Sequence, residues 1–254
     1  MPADMPTADF RIAAAQIASI RGEWIGNIAA HAGAIEVAAA QGVSVLVFPE
    51  LSLIGYEPDL AAEMAIIPED IRLAPLKILA RRHGVEVVVG APLSNGTEKP
   101  YLGAILFASN GTTRTYSKMH LGDSERAFFS PGSEPLAFPS HGRTIGVAIC
   151  ADSSQPSHPR AYADAGAAIY AAGVFLNDEW YATDSPRLSG HAAQFRMLVV
   201  MANHADSVGT RRSVGRSAIW APGGSMLAQA EGTARCLVIA TSSAEGWRGE
   251  IIAI

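Results

Sequence analysis

The sequence predicts one α/β domain over residues 1–254, built on a mixed β-sheet. Segments with helix-like and strand-like apolar spacing alternate along the chain, and no low-complexity linker divides them, which is typical of a single α/β domain. Asn95-Gly96 and Asn110-Gly111 each lie between strand-like segments. Because Asn-Gly is the strongest short hairpin signal, antiparallel strands are expected beside the parallel ones.

The first part of the chain alternates strands with helices. Apolar residues such as Ile28 and Ile35 recur at helical spacing before a short, continuous apolar segment that is typical of a buried strand. Gly84 is the expected C-cap of the second helix, because glycine readily adopts the left-handed conformation found there. The predicted elements are strands at 10–17, 43–48 and 85–91 and helices at 24–40 and 70–83.

The second part of the chain continues this alternation. A mixed sheet with helices on one face leaves its other face apolar, so a second sheet is expected to cover that face. The predicted elements are strands at 112–116, 144–149, 167–172, 197–202, 217–220 and 235–241 and helices at 156–165 and from Pro186 onward.

Composition and charge exclude several classes of protein. The chain has 254 residues, of which 49% are hydrophobic and 17% charged, as in a globular domain with a large core. No apolar segment reaches the roughly 18 residues of a membrane span, and residues 1–9 lack the basic and apolar regions of a signal peptide. We therefore expect a cytoplasmic protein that does not bind membranes.

The net charge of −5 includes no basic block, so nucleic-acid binding is not expected. The seven histidines lack metal-ligand spacing, and no phosphate-binding glycine-rich motif is present. The sequence therefore predicts neither a metal nor another cofactor. The chain has two cysteines, Cys150 and Cys236. Both are expected to be free thiols, because a chain of this size gains little stability from one disulfide.

Three reactive side chains each follow a strand-like segment. Glu50 follows residues 43–48, Lys118 follows residues 112–116, and Cys150 follows residues 144–149. A carboxylate, an ammonium and a thiol gathered at one edge of a sheet are sufficient to hydrolyse an amide.

These segments resemble the nitrilase, or carbon-nitrogen hydrolase, superfamily. The separations are 68 residues (118 minus 50) and 32 residues (150 minus 118), in the order of the family. Glu125 with residues 128–132 is similar to the family's second glutamate and the aromatic-Pro-Gly turn after it. Residues 215–219 and 221–224 are similar to its late strand and turn, so the resemblance covers roughly residues 10–240. It implies a four-layer α-β-β-α sandwich of two mixed sheets, an amidase-like activity on a small amide or nitrile, and a homodimer or higher homo-oligomer.

The resemblance also assigns chemical roles. Cys150 is the expected nucleophile that forms a thioester, and Glu50 is the expected general base. Lys118 and the backbone N–H of Ala151 are expected to stabilise the oxyanion. A turn followed by a helix at Cys150 would favour the thiolate. The alternatives are a buried core cysteine, a helix-capping or exposed glutamate and an exposed lysine.

Other residues are candidates for contact with the substrate. Glu125 is expected to hold Lys118 or to orient the leaving amine, although a surface carboxylate is the alternative. Tyr56 and Asp152 are close in sequence to Glu50 and Cys150. Candidates also include Trp180 and Tyr181, which follow the strand after Cys150, where the family often places substrate-facing groups.

Departures from the family pattern bear on the substrate. Branches that cleave monoamides of dicarboxylic acids carry Arg-Phe-Pro-Glu soon after the cysteine, whereas residues 152–156 here are Asp-Ser-Ser-Gln-Pro. Arg160 is a possible substitute for the missing arginine. With aromatic candidates nearby, the sequence predicts a neutral or apolar acyl group in preference to a dicarboxylate. Nitrilases carry Trp-Glu after the cysteine where this chain has Ala151-Asp152, so amide cleavage is favoured.

Several alternatives remain open from the sequence. Nitrile cleavage and the hydrolysis of N-carbamoyl amino acids are alternatives within the family, as is a non-catalytic member that only binds a ligand. A papain-type hydrolase would need a histidine base, and no histidine has a recognisable setting for it. A serine hydrolase would need a G-x-S-x-G motif, which the chain lacks.

Overall fold

The computed structural model describes residues 10–206, 209 and 211–254. In these ranges the chain forms two β-sheets and four α-helices. The strands are β1 (Phe10–Gln16), β2 (Val45–Val47), β3 (Glu86–Leu93), β4 (Tyr101–Phe107), β5 (Thr113–Ser117), β6 (Ala137–Ser140), β7 (Arg143–Ile149), β8 (Ile169–Gly173), β9 (Leu198–Ala202), β10 (Ala218–Trp220), β11 (Met226–Gln229), β12 (Cys236–Ser243) and β13 (Gly246–Ala253). The helices are α1 (Trp24–Ala40), α2 (Ala74–His83), α3 (Ser157–Asp164) and α4 (Asp178–Phe195).

Both sheets are mixed. The first has seven strands in the order β13-β12-β1-β2-β3-β4-β5, and the second has six in the order β11-β10-β9-β8-β7-β6. Parallel pairs occupy the centre of each sheet, namely β1-β2-β3 in the first and β7-β8-β9 in the second. Antiparallel pairs flank them, as in β3-β4 and β9-β10.

Three apolar cores define four layers. The core between the sheets contains Val47 of β2 and Val147 of β7. Helices α1 and α2 cover the outer face of the seven-stranded sheet, where Ile35 packs near Leu46. Helices α3 and α4 cover the outer face of the six-stranded sheet. The predicted α-β-β-α sandwich is thus the observed architecture.

Most predicted elements are present, but one helix begins earlier than expected. Helix α4 begins at Asp178, eight residues before Pro186 (186 minus 178), and Pro186 lies inside it. The Oδ1 atom of Asn177 accepts a hydrogen bond from the backbone N–H of Trp180 at 2.8 Å and caps the helix. The packed apolar face of α4 outweighs the single backbone hydrogen bond that proline cannot donate.

Strands β6, β11 and β13 were not predicted, because short or polar edge strands have weak apolar alternation. Both Asn-Gly turns do connect antiparallel strands, β3 to β4 and β4 to β5. Gly84 caps α2 in the left-handed conformation, with φ of 69°. The Cys236 thiol is free and buried.

No helix in the described ranges is both long enough and apolar enough to cross a membrane. The expectation about a signal peptide concerns residues 1–9, which lie outside the described residues.

Candidate active site

The two sheets bring Glu50, Lys118 and Cys150 together. Lys118 follows β5 directly and Glu50 lies three residues beyond β2 (50 minus 47), both in the seven-stranded sheet, whereas Cys150 follows β7 in the six-stranded sheet. The Nζ atom of Lys118 lies 2.6 Å from the Oε1 atom of Glu50. Face-to-face packing of the sheets therefore joins residues that are far apart in sequence.

Backbone contacts from both sheets position the Glu50 segment. A Cβ atom on Gly90 of β3 would lie 2.4 Å from the backbone nitrogen of Leu51. A Cβ atom on Gly173 of β8 would lie 2.6 Å from the backbone oxygen of Phe48. Only glycine permits such close approach of two backbones, so these two positions constrain the path of the backbone on both sides of Glu50.

Lys118 is a fully buried ammonium between two carboxylates. Its Nζ atom donates to Glu50 and, at 2.8 Å each, to the Oε1 and Oε2 atoms of Glu125. Burial disfavours the charge of Lys118, but the negative charges of Glu50 and Glu125 outweigh this effect and raise its pKa. The lysine is therefore charged near neutral pH.

The Glu125 carboxylate is held by further donors. The hydroxyl of Tyr56 donates to its Oε1 atom at 2.7 Å, and the backbone N–H of Gly122 donates to its Oε2 atom at 2.8 Å. The ring of Tyr56 stacks on Phe175, with 4.5 Å between ring centroids. Glu125 thus anchors Lys118 from a preorganised position.

Cys150 occupies a sharp turn between β7 and a short 3-10 helix, Cys150–Ser154. Its φ of 41° is unusual for a residue with a side chain, as at other nucleophiles placed on strained turns. The backbone N–H of the next residue, Ala151, lies in the first turn of this helix, where such groups lack an intrahelical partner. It is therefore able to donate to an oxyanion.

The environment of the thiol differs from the one that the sequence predicts. Desolvation in the enclosed site, together with the negative charge of Glu50, raises the pKa of Cys150 well above its usual value. The sulfur therefore carries its proton in the free protein, and the 3-10 helix does not make it a thiolate. A base is needed to remove the proton.

Glu50 has the properties of such a base. It is 1% exposed, and burial raises its pKa to about 8 against the opposing charge of Lys118. Its Oε2 atom accepts a hydrogen bond from the backbone N–H of Phe175 at 3.2 Å. The carbonyl oxygen of Phe175 lies 4.0 Å from the Sγ atom of Cys150, so Phe175 links the base to the thiol.

A cavity of about 510 Å³ opens beside these groups. Lys118, Glu125 and Cys150 line it, as do the expected substrate-contacting residues Tyr56, Ala151 and Trp180. Such a volume holds a small organic molecule. The described residues contain no group of three or more His, Cys, Asp or Glu side chains arranged to hold a metal ion.

Comparison with known proteins agrees with the fold and with the geometry of the site. A family model described as carbon-nitrogen hydrolase matches residues 11–249, nearly the whole chain. The chain belongs to the carbon-nitrogen hydrolase family. It is accordingly a hydrolase related to amidases and nitrilases, and the predicted sandwich fold is confirmed.

Known amidases are similar to this hydrolase in sequence and structure. The (R)-stereoselective amidase of a Pseudomonas species is 29% identical over 197 residues, which are 76% of this chain and 70% of the amidase. A structure of a double mutant of the amidase from Nesterenkonia sp. AN1 in complex with acrylamide is 25% identical, with a TM-score of 0.85, and the match covers 93% of this chain and 91% of the amidase.

A larger protein also matches. The glutamine-dependent NAD(+) synthetase of Thermotoga maritima is 31% identical over 166 residues, which are 63% of this chain. The match spans only 28% of that synthetase. The similarity therefore concerns one part of a longer enzyme.

Two residues predicted to contact the substrate lie elsewhere in the hydrolase. Asp152 is fully buried and does not line the cavity. Its Oδ2 atom accepts hydrogen bonds from the Tyr116 hydroxyl at 2.7 Å and the Ile149 N–H at 3.0 Å, and its Oδ1 atom accepts one from the His120 N–H at 2.9 Å. Asp152 therefore joins the loop after β5 to the turn at Cys150. The prediction differs because sequence proximity to Cys150 does not determine the direction in which the side chain points.

Tyr181 also lies outside the cavity lining. Its hydroxyl accepts a hydrogen bond from the Nε2 atom of Gln229 at 2.7 Å, and the guanidinium of Arg216 lies 5.5 Å from its ring centroid. Trp180 and Tyr181 are consecutive on α4, about 100° apart around its axis. Only Trp180 consequently reaches the cavity.

An arginine does line the cavity of the hydrolase, although sequence analysis missed it. Arg187 of α4 forms an ion pair with Asp184, and both residues line the cavity. The suggested substitute, Arg160, instead stacks on Phe195, with 5.5 Å from its guanidinium carbon to the ring centroid. The family position soon after the cysteine does lack an arginine, but Arg187 brings one to the cavity from a different element. The i,i+3 spacing of Asp184 and Arg187 was the available signal, but it also fits an ordinary surface pair.

Proposed function

We propose that this hydrolase cleaves a small amide to a carboxylate and ammonia through a thioester on Cys150. The observation that carries the proposal is the buried ammonium of Lys118, held between two carboxylates at the edge of a cavity that exposes a thiol. Burial of an ion pair is costly, and a purely structural role would not require a cavity beside it. The amidases among its relatives support the same reaction.

The first half of the reaction forms the acyl-enzyme. Glu50 accepts the thiol proton as the Sγ atom of Cys150 bonds to the amide carbon. The resulting oxyanion accepts hydrogen bonds from Lys118 and from the N–H of Ala151. The carbon–nitrogen bond then breaks, Glu50 returns the proton to the departing nitrogen, and ammonia leaves a thioester on Cys150.

The second half releases the acid. Glu50 accepts a proton from a water molecule, whose oxygen bonds to the thioester carbon. The carbon–sulfur bond breaks, and the sulfur regains the proton from Glu50. Because its pKa of about 8 lies near neutrality, Glu50 is able both to accept and to donate this proton.

Glu50 and Glu125 have different roles in the proposed reaction. Glu125 holds Lys118 and, with its Oε1 atom also bonded to Tyr56, orients the leaving amine. Tyr56, Ala151 and Trp180 form the walls that contact the acyl group. Asp152 supports the turn at Cys150 and takes no direct part.

A panel assay tests the proposed function. Purified protein is incubated with aliphatic amides, N-carbamoyl amino acids and nitriles, and ammonia release is measured. We expect amides to be cleaved and acid-quenched samples to carry an acyl mass on Cys150. Cys150→Ala should retain less than about 1% of turnover because no neighbour replaces the nucleophile, whereas Cys236→Ala, at the other free thiol, should stay active.

The panel also distinguishes the alternatives. Release of ammonia from nitriles alone would indicate a nitrilase. Release of ammonia from carbamoyl compounds alone would indicate a carbamoyl hydrolase. Ligand binding without turnover of any compound would indicate a non-catalytic member of the family. Turnover by Cys150→Ala above that 1% level would contradict the thioester mechanism.

We also propose that the hydrolase acts in the cytoplasm as a homodimer or higher homo-oligomer. The two free thiols, Cys150 and Cys236, suit a reducing compartment. Light scattering during size-exclusion chromatography measures the assembly, and a mass of 26.6 kDa, that of one chain, would contradict it.

A further inference from the structure

The buried carboxylate of Asp152 is bonded to both segments that carry the proposed oxyanion donors. Its Oδ1 atom accepts hydrogen bonds at 3.1 and 2.9 Å from the backbone N–H groups of residues 119 and 120, which directly follow Lys118. Its Oδ2 atom accepts one at 3.0 Å from the N–H of Ile149, which directly precedes Cys150. One side chain therefore ties the Lys118 segment of the first sheet to the Cys150 turn of the second.

Three further buried side chains form a hydrogen-bonded chain that ends at Asp152. The hydroxyl of Tyr116 on β5 donates to the Oδ2 atom of Asp152 at 2.7 Å. The Nε2 atom of His158 on α3 lies 2.9 Å from this hydroxyl, and the hydroxyl of Tyr170 on β8 lies 2.9 Å from the Nδ1 atom of His158. All four residues are at most 4% exposed, so solvent does not compete for these bonds.

The protons in this chain have one consistent order. A carboxylate only accepts hydrogen bonds, so Tyr116 uses its single proton on Asp152. His158 then donates from Nε2 to the oxygen of Tyr116. Burial lowers the pKa of His158, so its ring is neutral near pH 7 and its Nδ1 atom accepts the proton of Tyr170. Every donor in the chain therefore points toward Asp152.

These donors keep Asp152 in its charged form. Burial acts to raise the pKa of Asp152, but its hydrogen bonds, including those from His120 and Tyr116, bring the pKa below its usual value. A protonated Asp152 would direct an O–H toward groups that are themselves donors and would leave one of them without an acceptor. The ionised carboxylate therefore fits this position and the neutral acid does not.

We propose that Asp152, Tyr116 and His158 are positioning residues for the reaction. None of the three lines the active-site cavity, so they act through the backbone on either side of them. Their hydrogen bonds determine how the Lys118 ammonium and the N–H of Ala151 face the carbon that Cys150 attacks. A fully bonded buried network selects one geometry. The inference rests on the proposed amidase function.

Removal of one hydroxyl tests the chain with little change in volume. Tyr116→Phe leaves Asp152 without one donor and the Nε2 atom of His158 without an acceptor. With the amide that the wild type cleaves best in the panel, we expect kcat to fall at least about tenfold, because small displacements of catalytic groups are costly. KM should change less than about threefold, since the cavity lining is intact.

Tyr162→Phe is the matched control. The hydroxyl of Tyr162 is also buried, but it donates to the backbone oxygen of Val147 at 2.8 Å and takes no part in the chain. Its ring lies 5.2 Å from that of His158, centroid to centroid, so the two tyrosines share their surroundings. Tyr162→Phe should lower Tm about as much as Tyr116→Phe does and should keep the kcat of the wild type.

Substitutions at His158 show whether the residues act as one unit. His158→Phe should lower kcat, and the double variant with Tyr116→Phe should be no slower than the slower single variant, because the chain is already broken. His158→Gln keeps an N–H that is able to donate to Tyr116 and should recover part of the lost kcat. Losses that multiply in the double variant would contradict a single chain.

The strongest loss is expected at Asp152 itself. Asp152→Asn keeps the shape of the side chain but turns an NH2 group toward the N–H donors of one segment. This segment must then move, and kcat should fall about 100-fold. Wild-type kcat in a folded Asp152→Asn protein would show that the carboxylate does not position the oxyanion donors.

The outcomes separate this inference from the proposed function. Equal kcat values in Tyr116→Phe and Tyr162→Phe would overturn the inference and leave the amidase function standing. If the wild type cleaves no compound, the amidase function fails and hydrogen exchange measured by mass spectrometry decides the inference. The amides of residues 119, 120 and 149 should exchange at least about tenfold faster in Tyr116→Phe than in Tyr162→Phe, and equal exchange would overturn the inference.

Discussion

The Nε2 atom of His204 lies 2.8 Å from the backbone oxygen of Glu50. This hydrogen bond joins the segment after β9 in one sheet to the segment after β2 in the other. Burial lowers the pKa of His204 to about 4, so the ring is neutral near pH 7 and donates from Nε2. A histidine thus positions the backbone of the proposed base without acting as a base itself.

Removing this donor should impair catalysis more than binding. In His204→Phe, which keeps an aromatic ring, the Glu50 carbonyl loses its partner and kcat should fall at least about tenfold, because small displacements of a catalytic group are costly. KM should change less. Steady-state kinetics measure both.

His204→Gln retains a side-chain donor and should recover part of the lost kcat. His83→Gln is the control at a histidine of α2 that pairs with Glu36 and does not line the cavity, and wild-type kinetics are expected there. Equal kcat values in His204→Phe and the wild type would show that the hydrogen bond does not position Glu50.

Loss of the Lys118 ammonium should reduce turnover strongly. Lys118→Ala removes an oxyanion donor, and such losses cost about 10²- to 10³-fold in kcat. Lys77→Ala, at an exposed lysine on α2, is the matched control. A decrease of less than about tenfold under saturating substrate, in a folded Lys118→Ala protein, would be inconsistent with charge stabilisation by Lys118.

The pKa of Glu50 predicts the pH dependence of activity. General-base action requires its deprotonated form, so kcat/KM should rise with pH through an apparent pKa near 8. The rate profile from about pH 6 to about pH 10, about two units on either side of the expected pKa, measures it. Glu50→Gln should lose most activity together with this step, and a profile that is flat across this range would contradict the assignment.

The same pKa predicts how stability changes with pH. Because the pKa of Glu50 is raised on folding, from 4.5 to about 8, the folded state binds its proton more tightly than the unfolded state does. The stabilisation from this proton is complete below the unfolded pKa and disappears as pH rises through about 8. The Tm of Glu50→Gln relative to that of the wild type should therefore be higher at pH 9 than at pH 5. A difference in Tm that is constant with pH would contradict the raised pKa.

Gly90 of β3 should not tolerate replacement by a residue with a side chain, because β3 passes close to the Glu50 segment at this position. In Gly90→Ala the new Cβ atom would lie 2.4 Å from the backbone nitrogen of Leu51 and 2.5 Å from the backbone oxygen of Pro49. The segment must then move, and kcat/KM should fall by about 100-fold. Calorimetry should also show a lower Tm.

Gly190→Ala is the matched control. A Cβ atom at Gly190 of α4 would have nothing within 4 Å, and alanine favours a helix over glycine by about 1 kcal/mol. This variant should keep full activity with an unchanged or higher Tm. Full activity in Gly90→Ala would show that the Glu50 carboxylate does not depend on this contact.

Strand ends were predictable because they depend on local pattern. The strand-like segments before Glu50, Lys118 and Cys150 place each of these residues just beyond a strand, and the structure brings all three together. Local pattern was insufficient for Asp152 and Tyr181, since the side of a turn or helix that faces a cavity depends on what packs against it. Arg187 was missed for the same reason.

The sequence by itself determined the alternation of strands and helices, the antiparallel turns and the positions of the three reactive residues along the chain. These features follow from periodicities of two and 3.6 residues and from the conformational freedom of glycine. Only the tertiary structure decided that the Lys118 ammonium is buried between two carboxylates, that His204 supports Glu50 from the opposite sheet, and that Asp184 and Arg187 form a wall of the cavity. The physical reason is that burial, pKa and cavity shape are produced by groups that are distant in sequence and meet only when the two sheets pack face to face.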